Sequence, residues 1–212
     1  MIETVEIFSG TKSFSKVAKK KGYNTLTIDN NPELEPDLIM DIRTRVTLPM
    51  KINVLWASPP CTAFSVAAIG KNWDKETRLP KTENAHLGLE LLRHTIYIIA
   101  KHRPKYWFIE NPRGMMRKVI DDIFKQMGIM DYKRVTVTYC QYGDKRMKPT
   151  DIWTNFMNWQ PKKPCKNGNP CHESAPRGSR TGTQGLKNAK DRGVIPPALF
   201  EEIFKQINFT DN

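Results

Sequence analysis

Short apolar runs alternate with amphipathic stretches along the first half of the chain. Runs of about four to eight apolar or β-branched residues are typical of strands, whereas apolar positions repeated every three or four residues are typical of helices. The pattern predicts strands at 5–8, 25–28, 38–40, 52–57, 106–109, 133–139 and 147–155, and helices at 14–21, 83–101, 115–127 and 197–207. This alternation predicts an α/β fold, in which helices cover both faces of a doubly wound, mostly parallel sheet.

The loops that follow the predicted strands carry the notable polar residues. In a doubly wound sheet, ligands bind beyond the carboxyl ends of the strands. We therefore expect the loops after Phe8, Ile28, Met40, Ala57 and Ile109 to meet at one edge and to form the functional site.

The composition changes after residue 155. Residues 156–192 are rich in Pro, Gly, Lys, Arg, Ser and Asn and show no apolar period, which indicates a short, loop-rich basic insert. A proline pair, Pro196 and Pro197, then opens an amphipathic helix, at a position that proline favours. The pattern predicts a main domain at 1–155, the insert at 156–192, and a segment at 193–212 whose helix returns to the main domain.

The charge balance points to a polyanionic partner. The chain has 34 Lys and Arg against 22 Asp and Glu, a formal net charge of +12. Surplus cations neutralise phosphates, so nucleic acid is the expected partner, and the alternative is a merely basic surface. With no apolar run long enough to cross a membrane and no signal-peptide pattern, we expect no membrane partner and a cytoplasmic location in a bacterial or phage-infected cell. Disulfides are not expected among the four cysteines.

The first strand exit has features of a cofactor site. Gly10 lets a ligand approach the backbone, and the N-terminus of the following helix offers free N–H groups. Asp29, 19 residues later, ends the next strand, where a carboxylate commonly binds a ribose. A tight turn with a surface Asp would give the same pattern.

Two further strand exits carry candidate catalytic groups. Two prolines stiffen the chain before Cys61 and would hold its thiol at the sheet edge, ahead of a stretch at 70–75 that is expected to be flexible. Glu110 follows a hydrophobic strand, where an unpaired carboxylate is costly, so it is expected in a site or a salt bridge. The alternatives are that Cys61 is a small buried residue and that Glu110 pairs with Arg113 or a lysine.

In this order, these features resemble the DNA cytosine-5 methyltransferase family. The matching segments are Phe8-Ser9-Gly10, Asp29, Asp41-Ile42, Pro59-Pro60-Cys61, Glu110-Asn111-Pro112, Gln141-Tyr142-Gly143-Asp144-Lys145-Arg146-Met147-Lys148 and Gly193-Val194-Ile195-Pro196-Pro197-Ala198-Leu199. The resemblance covers nearly the whole chain, whose small size suggests a phage or mobile-element member. It implies a Rossmann-like, S-adenosylmethionine-dependent methyltransferase sheet in a catalytic domain at 1–155 and double-stranded DNA as the substrate. It also implies that the insert at 156–192 is a small target-recognition region, for which the alternative is a disordered basic loop. Action as a monomer is expected because this is common for enzymes that act on one strand of a duplex.

The resemblance also implies a role for each matching residue. Cys61 would attack carbon 6 of a flipped cytosine, Glu110 would hydrogen-bond the N3–N4 edge of the base, and Arg146 would hold the base or the adjoining phosphate. Carbon 5 would then accept the methyl group of S-adenosylmethionine. The residues expected to line the cofactor site are Phe8, Ser9, Gly10, Thr11, Asp29, Asn30, Asp41, Ile42 and Pro59. Those expected to contact nucleic acid are Ser65, Lys148, Arg177 and Arg180.

The chain departs from the family's motifs at several positions. Lys12-Ser13 stands where the family usually has two glycines, Thr62 where it has Gln, and Pro112 where it has Val. Lys12 would pair with the cofactor's carboxylate or point to solvent. Two alternatives therefore stay open: a nucleic-acid-binding protein of the same fold without catalysis, and a methyltransferase that acts on RNA or on a modified cytosine.

Three residues with metal-binding side chains, Cys165, Cys171 and His172, lie inside the insert. Zinc could hold a loop that has no apolar core, with the distant Cys140 as a fourth ligand. Their spacing matches no common zinc pattern, so the sequence favours ordinary thiols and predicts no metal site.

Overall fold

A computed structural model describes residues 3–44, 47–49, 51–174 and 188–207. The strands are β1 Thr4–Ile7, β2 Thr25–Asp29, β3 Leu38–Ile39, β4 Val54–Ala57, β5 Tyr106–Pro112, β6 Lys133–Thr138 and β7 Pro149–Thr154. The α-helices are α1 Ser13–Lys20, α2 Ile69–Asn72, α3 Glu83–His102, α4 Met116–Gln126, α5 Ala189–Gly193 and α6 Pro197–Gln206. Short 3-10 turns cover Pro32–Leu34, Val66–Ala68 and Tyr139–Tyr142.

The described strands form one seven-stranded sheet in the order β3-β2-β1-β4-β5-β7-β6. The first five strands in this order pair in parallel, and β7 runs antiparallel to both of its neighbours, β5 and β6. The central strands β1 and β4 are buried at every position, as expected for a parallel sheet covered on both faces. The predicted α/β fold is confirmed.

Each face of the sheet has its own apolar core. On one face, Leu55 and Ile109 pack with Leu92 of α3 and Ile120 of α4. On the other face, Trp56 and Phe108 pack with Phe14 of α1 and Phe200 of α6. The Phe14 ring meets that of Phe200 edge-on at 5.6 Å between centroids, so the last helix does lie against the first domain. The boundaries at 155/156 and 192/193 stay predictions.

The stretch at 70–75, expected to be flexible, is anchored. It contains the end of α2, and Trp73 is completely buried. The Trp73 indole N–H donates to the Ala63 carbonyl at 2.7 Å, and the buried Asn72 amide donates to the Thr62 and Ala63 carbonyls. A hydrophobic ring with a satisfied N–H fixes this segment against the loop that follows β4.

Among the described residues, no helix combines the length and the apolar character that a bilayer crossing requires.

Candidate active site

The strand register brings the predicted loops to one edge of the sheet. Ile7 lies between Ile28 and Ala57, and Ala57 pairs with Ile109, so the residues that follow them emerge side by side. Because β7 runs antiparallel, its first residues reach this same edge, and Thr150 pairs with Pro112. The expected meeting of these loops is therefore observed, and the residues just before β7 join it.

Backbone hydrogen bonds fix the loop that carries Cys61. The Pro59 carbonyl accepts a 2.8 Å bond from the buried Asn111 side chain of β5. The Cys61 carbonyl accepts from the N–H groups of Phe64 and Ser65 at 3.1 and 2.9 Å, which closes a tight turn after the cysteine. Cys61 itself is exposed, so it is not the small buried residue of the alternative interpretation.

Two glycines allow neighbouring elements to approach this loop closely. A Cβ on Gly114 would lie 2.0 Å from the Phe64 carbonyl oxygen, and a Cβ on Gly88 of α3 would lie 2.3 Å from the Ala63 Cβ. Both distances are far below van der Waals contact. The sequence analysis did not single out either residue, because a glycine required for close approach has no local signature unless its neighbour is known.

Glu110 is buried, 5% exposed, and its Oε1 accepts a 2.9 Å hydrogen bond from the Tyr139 hydroxyl. Burial, with the Glu110 charge adding to it, raises the pKa of Tyr139 well above its ordinary value, so the phenol stays protonated and donates. Among the salt bridges of the described residues, none involves Glu110, which speaks against the proposed pairing with Arg113 or a lysine.

Lys148 joins Cys61 and Glu110 electrostatically. Its ammonium lies 4.8 Å from the Tyr139 ring centroid and donates to the Arg192 carbonyl at 2.9 Å. Desolvation raises the pKa of the Cys61 thiol, Lys148 opposes that rise, and Glu110 adds to it. Burial lowers the pKa of Lys148, and both Glu110 and Cys61 oppose this. Glu110 and Lys148 thus lie close enough to Cys61 to act, in opposite directions, on the pKa of its thiol.

Arg146 does not have the free guanidinium that the sequence analysis assigned to the base. It is 5% exposed, and its Nε donates to both oxygens of Asp144. Its remaining N–H groups donate to Asp144 and to the carbonyls of Asp191, Arg192 and Val194. Arg146 thus ties the turn before β7 to the C-terminal segment, and the catalytic role expected for it stays a prediction.

The loop after β1 is joined to Asp29 as expected. The Gly10 N–H donates to Asp29 Oδ2 at 2.9 Å, and the Asn31 N–H donates to Oδ1 at 3.0 Å. The buried Ser9 hydroxyl has no hydrogen-bond partner among the described residues. Phe8, Gly10 and Thr11 are partly buried.

Lys12 stands where the family usually has a glycine, and its backbone conformation maintains the shape of the loop. Its backbone has φ 56°, the left-handed conformation that glycine favours. Its ammonium donates to the Glu35 carbonyl at 2.5 Å in an exposed position, and its expected pairing with a cofactor carboxylate stays a prediction.

The N-terminus of α1 is not a free anion site, which corrects another expectation. The buried Glu6 carboxylate of β1 accepts from the N–H groups of Phe14 and Ser15 at 3.2 and 2.9 Å and from the Ser15 hydroxyl at 2.5 Å. Desolvation raises the pKa of Glu6 from 4.5 to about 7, although these hydrogen bonds oppose it. The sequence analysis missed this cap because Glu6 reads as an ordinary strand residue.

The other predicted cofactor residues differ in their surroundings. Arg43 binds the Asp41 carboxylate through two nitrogens, and this lowers the pKa of Asp41. Ile42 is buried and contributes to a cleft of about 570 Å³ beside α3. Pro59 is buried, whereas Asn30 is exposed.

The predicted nucleic-acid contacts are only partly visible. Ser65 is half-buried beside Cys61, where it forms an antiparallel bridge with Gly114. Arg177 and Arg180 lie outside the described residues.

The sequence spacing suggested that Cys140 is distant from the cysteines of the insert. In the structure it lies beside them, because Cys140, Cys165, Cys171 and His172 form one cluster of metal-binding side chains.

Comparisons with known proteins identify the family of this chain. The family model for C-5 cytosine-specific DNA methylases matches residues 2–142. A Frog virus 3 protein described as a DNA (cytosine-5)-methyltransferase is 31% identical over 94% of this chain and 97% of its own length.

Two solved structures share the fold. A prophage-encoded E. coli protein described as a DNA modification methyltransferase aligns over 73% of this chain with a TM-score of 0.51 and 15% identity. The Entamoeba histolytica methyltransferase EhMeth aligns over 76% with a TM-score of 0.50 and 14% identity. This chain spans only 46% and 55% of their lengths, so they support the fold alone. The family model and the viral relative go further: the chain belongs to the C-5 cytosine-specific DNA methylase family.

Proposed function

We propose that this protein methylates carbon 5 of cytosine in double-stranded DNA, with Cys61 as the nucleophile and S-adenosylmethionine as the methyl donor. The observation that carries the proposal is the placement of Cys61 and Glu110 at neighbouring strand ends on the carboxyl edge of the sheet, where Asn111, next to Glu110, binds the Pro59 carbonyl of the Cys61 loop. The exposed Cys61 thiol is a suitable nucleophile and the buried Glu110 carboxylate a suitable ring-activating group, with the half-buried Lys148 ammonium in the same site.

The chain's own groups account for activation of the base. Carbon 5 of cytosine is a weak nucleophile until the Cys61 sulfur bonds to carbon 6 and shifts the ring's C5–C6 electron pair towards carbon 5. Glu110, oriented by Tyr139, would hydrogen-bond N3 and the N4 amine and so stabilise the charge that develops on the ring. After carbon 5 is methylated, loss of its proton restores the double bond and expels the Cys61 thiolate.

The loop after β1 fits the methyl donor. The unsatisfied Ser9 hydroxyl is a buried polar atom that a ligand could pair, in the same loop whose Gly10 amide binds Asp29. We infer that Ser9, Gly10, Asp29 and Asp41 hold the donor. Asp41 would first leave its salt bridge with Arg43, which costs little because both side chains of that pair are partly exposed. When bound, S-adenosylmethionine supplies the electrophilic methyl group.

The charge of the chain supports DNA as the substrate. The formal net charge of +12 favours a polyphosphate, and the thiol can reach carbon 6 only after the base leaves the stack. Because only residues 156–192 are available for target recognition, we expect a short or relaxed recognition sequence. We expect action as a monomer because the enzyme would modify one strand of the duplex at a time.

Covalent trapping tests the proposal. DNA of mixed sequence is prepared with 5-fluorocytosine, whose fluorine blocks the final proton loss, and incubated with S-adenosylmethionine and the protein. We expect a complex that survives denaturing electrophoresis with the wild type and is absent with Cys61→Ser. Unmodified DNA serves as the control substrate, and fluorinated RNA tests the alternative substrate. The proposal fails if the wild type forms no complex, or if Cys61→Ser still forms one.

A further inference from the structure

We propose that Cys140, Cys165, Cys171 and His172 form a structural zinc site that holds the first part of the insert against the catalytic domain. Cys140 belongs to the 3-10 turn after β6, whereas the other three come from the loop that follows Trp159. Their three sulfur atoms and the imidazole Nδ1 all lie within 4.8 Å of one another.

The distances between these atoms fit a tetrahedral metal centre. The Cys171 sulfur is 3.7 Å from both the Cys140 sulfur and His172 Nδ1, and the Cys165 sulfur is 3.5 Å from Nδ1 and 3.2 Å from the Cys171 sulfur. With Zn–S of about 2.3 Å and Zn–N of about 2.0 Å, a tetrahedron has S–S edges of about 3.8 Å and S–N edges of about 3.5 Å. The sulfurs are too far apart for a disulfide, whose bond is about 2.0 Å long.

The number and kind of ligands indicate zinc in a closed site. Three thiolates and one imidazole complete the four-coordinate shell that structural zinc prefers and leave no position open for a substrate. The centre would carry a net charge of about −1, and the exposed cations of Lys162, Lys163 and Lys166 lie along the same loop.

The loop has no apolar core to hold its shape. None of residues 161–174, all of which the structure describes, is buried. Gly168, with φ 88°, provides the reversal that returns Cys171 to Cys165. Single hydrogen bonds, such as that from the Cys165 N–H to the Thr138 hydroxyl at 2.8 Å, attach the loop to the domain. A segment with so little apolar burial is the kind that a metal commonly stabilises.

The position of the cluster connects it to the active site. Cys140 directly follows Tyr139, the residue that binds Glu110. The Glu173 N–H, next to His172, donates to the Lys145 carbonyl at 2.9 Å, in the turn that leads to Lys148. Metal binding would therefore fix the Tyr139–Lys148 turn and the start of the insert as one unit.

Metal analysis of the full-length protein tests this inference. Purified wild type should contain about one zinc per chain, and Co²⁺ added to the metal-free protein should give the strong visible absorption of a tetrahedral thiolate site. Cys171→Ser and His172→Ala should lose at least about fivefold in zinc content. Their matched controls are Cys61→Ser and the exposed His86→Ala, which should keep the full content.

The outcomes separate this inference from the proposed function. Cys61→Ser should lose covalent trapping and keep its zinc, so either property can fail without the other. Co²⁺ titration of the wild type does not depend on the folding of any variant. The inference is overturned if the wild type binds neither metal, if a Cys165–Cys171 disulfide is found by mass spectrometry under non-reducing purification, or if Cys171→Ser retains the metal and its tetrahedral spectrum.

Discussion

The hydroxyl of Tyr139 donates a 2.9 Å hydrogen bond to the carboxylate of Glu110, and both side chains are buried. The bond crosses from the 3-10 turn after β6 to the exit of β5, with β7 between these two strands. It gives Glu110 a fixed orientation at the edge of the sheet where Cys61 lies. We therefore assign Tyr139 as a positioning residue for the proposed reaction.

Tyr139→Phe should reduce the rate of methyl transfer by about ten- to a hundredfold, because a charge-assisted hydrogen bond of this kind contributes about 1.5–3 kcal/mol. Single-turnover transfer at saturating DNA and donor measures the effect. Tyr142→Phe is a matched control, since its phenol binds Glu202 on α6 instead. Equal rates for the two variants would contradict the positioning role.

Lys148→Met should move the pH profile of covalent trapping to higher pH. The Lys148 ammonium opposes the rise in the pKa of Cys61, so its loss leaves the thiol harder to ionise. Because the thiolate is the nucleophile, the trapping rate at neutral pH should fall about tenfold and recover in alkaline buffer. Rates at saturating DNA exclude a simple loss of binding.

Lys145→Met is the control for this experiment. Lys145 precedes Lys148 by three residues, is 84% exposed and pairs with Glu173 at 3.4 Å. The control substitution therefore removes the same charge from a position that does not face the Cys61 thiol. If both variants keep the wild-type pH profile, Lys148 has no part in ionising Cys61.

The sheet could be predicted from sequence because short runs such as that of β4, which is apolar at every position, end at marked loops. The candidates Cys61 and Glu110 were singled out for the same reason, since Cys61 follows β4 and Glu110 stands in the last part of β5, just after its apolar run. Tyr139 gave no comparable signal: its role depends on antiparallel β7, which places the end of β6 beside the end of β5. Contacts created by strand order are not encoded in local spacing.

The surroundings of Arg146 were not predictable for a related reason. The sequence places a cation at the expected motif position. It does not reveal that the guanidinium of this residue donates its hydrogen bonds to Asp144 and to carbonyls within 191–194. The sequence favoured ordinary thiols over a zinc site because Cys140 is 25 residues from Cys165, and only the folded turn brings these two residues together.

Glu6→Gln should flatten the pH dependence of stability between pH 4.5 and about 7. The pKa of Glu6 is raised to about 7 in the folded protein, chiefly by desolvation, so the folded protein holds a proton that the unfolded chain releases above pH 4.5. The stability that this proton contributes is complete below pH 4.5 and is lost as the pH rises to about 7. The difference corresponds to about 3 kcal/mol.

Urea unfolding at about pH 5 and about pH 8 measures this change. Wild type and Glu3→Gln, a substitution one residue before β1, should lose the same stability over this interval, whereas Glu6→Gln should lose about 3 kcal/mol less. A Glu6→Gln protein with the wild-type dependence would show that Glu6 is ionised throughout.

Gly114→Ala should disrupt the Cys61 loop, although the backbone of Gly114 does not require a glycine conformation. The added Cβ would meet the Phe64 carbonyl oxygen at 2.0 Å, and this oxygen also accepts the Met115 N–H at 2.7 Å. Because a Cβ and a carbonyl oxygen are both fixed to the main chain, relief of the clash must move either the loop or the exit of β5. We therefore expect the free energy of unfolding to fall by more than about 2 kcal/mol and covalent trapping to fall strongly. Gly70→Ala is the control, since its Cβ would meet nothing within 4 Å in the same region. It should be neutral or stabilise by about 0.5 kcal/mol, and a Gly114→Ala protein that behaves like it in urea unfolding and in trapping would show that the loop tolerates a wider approach.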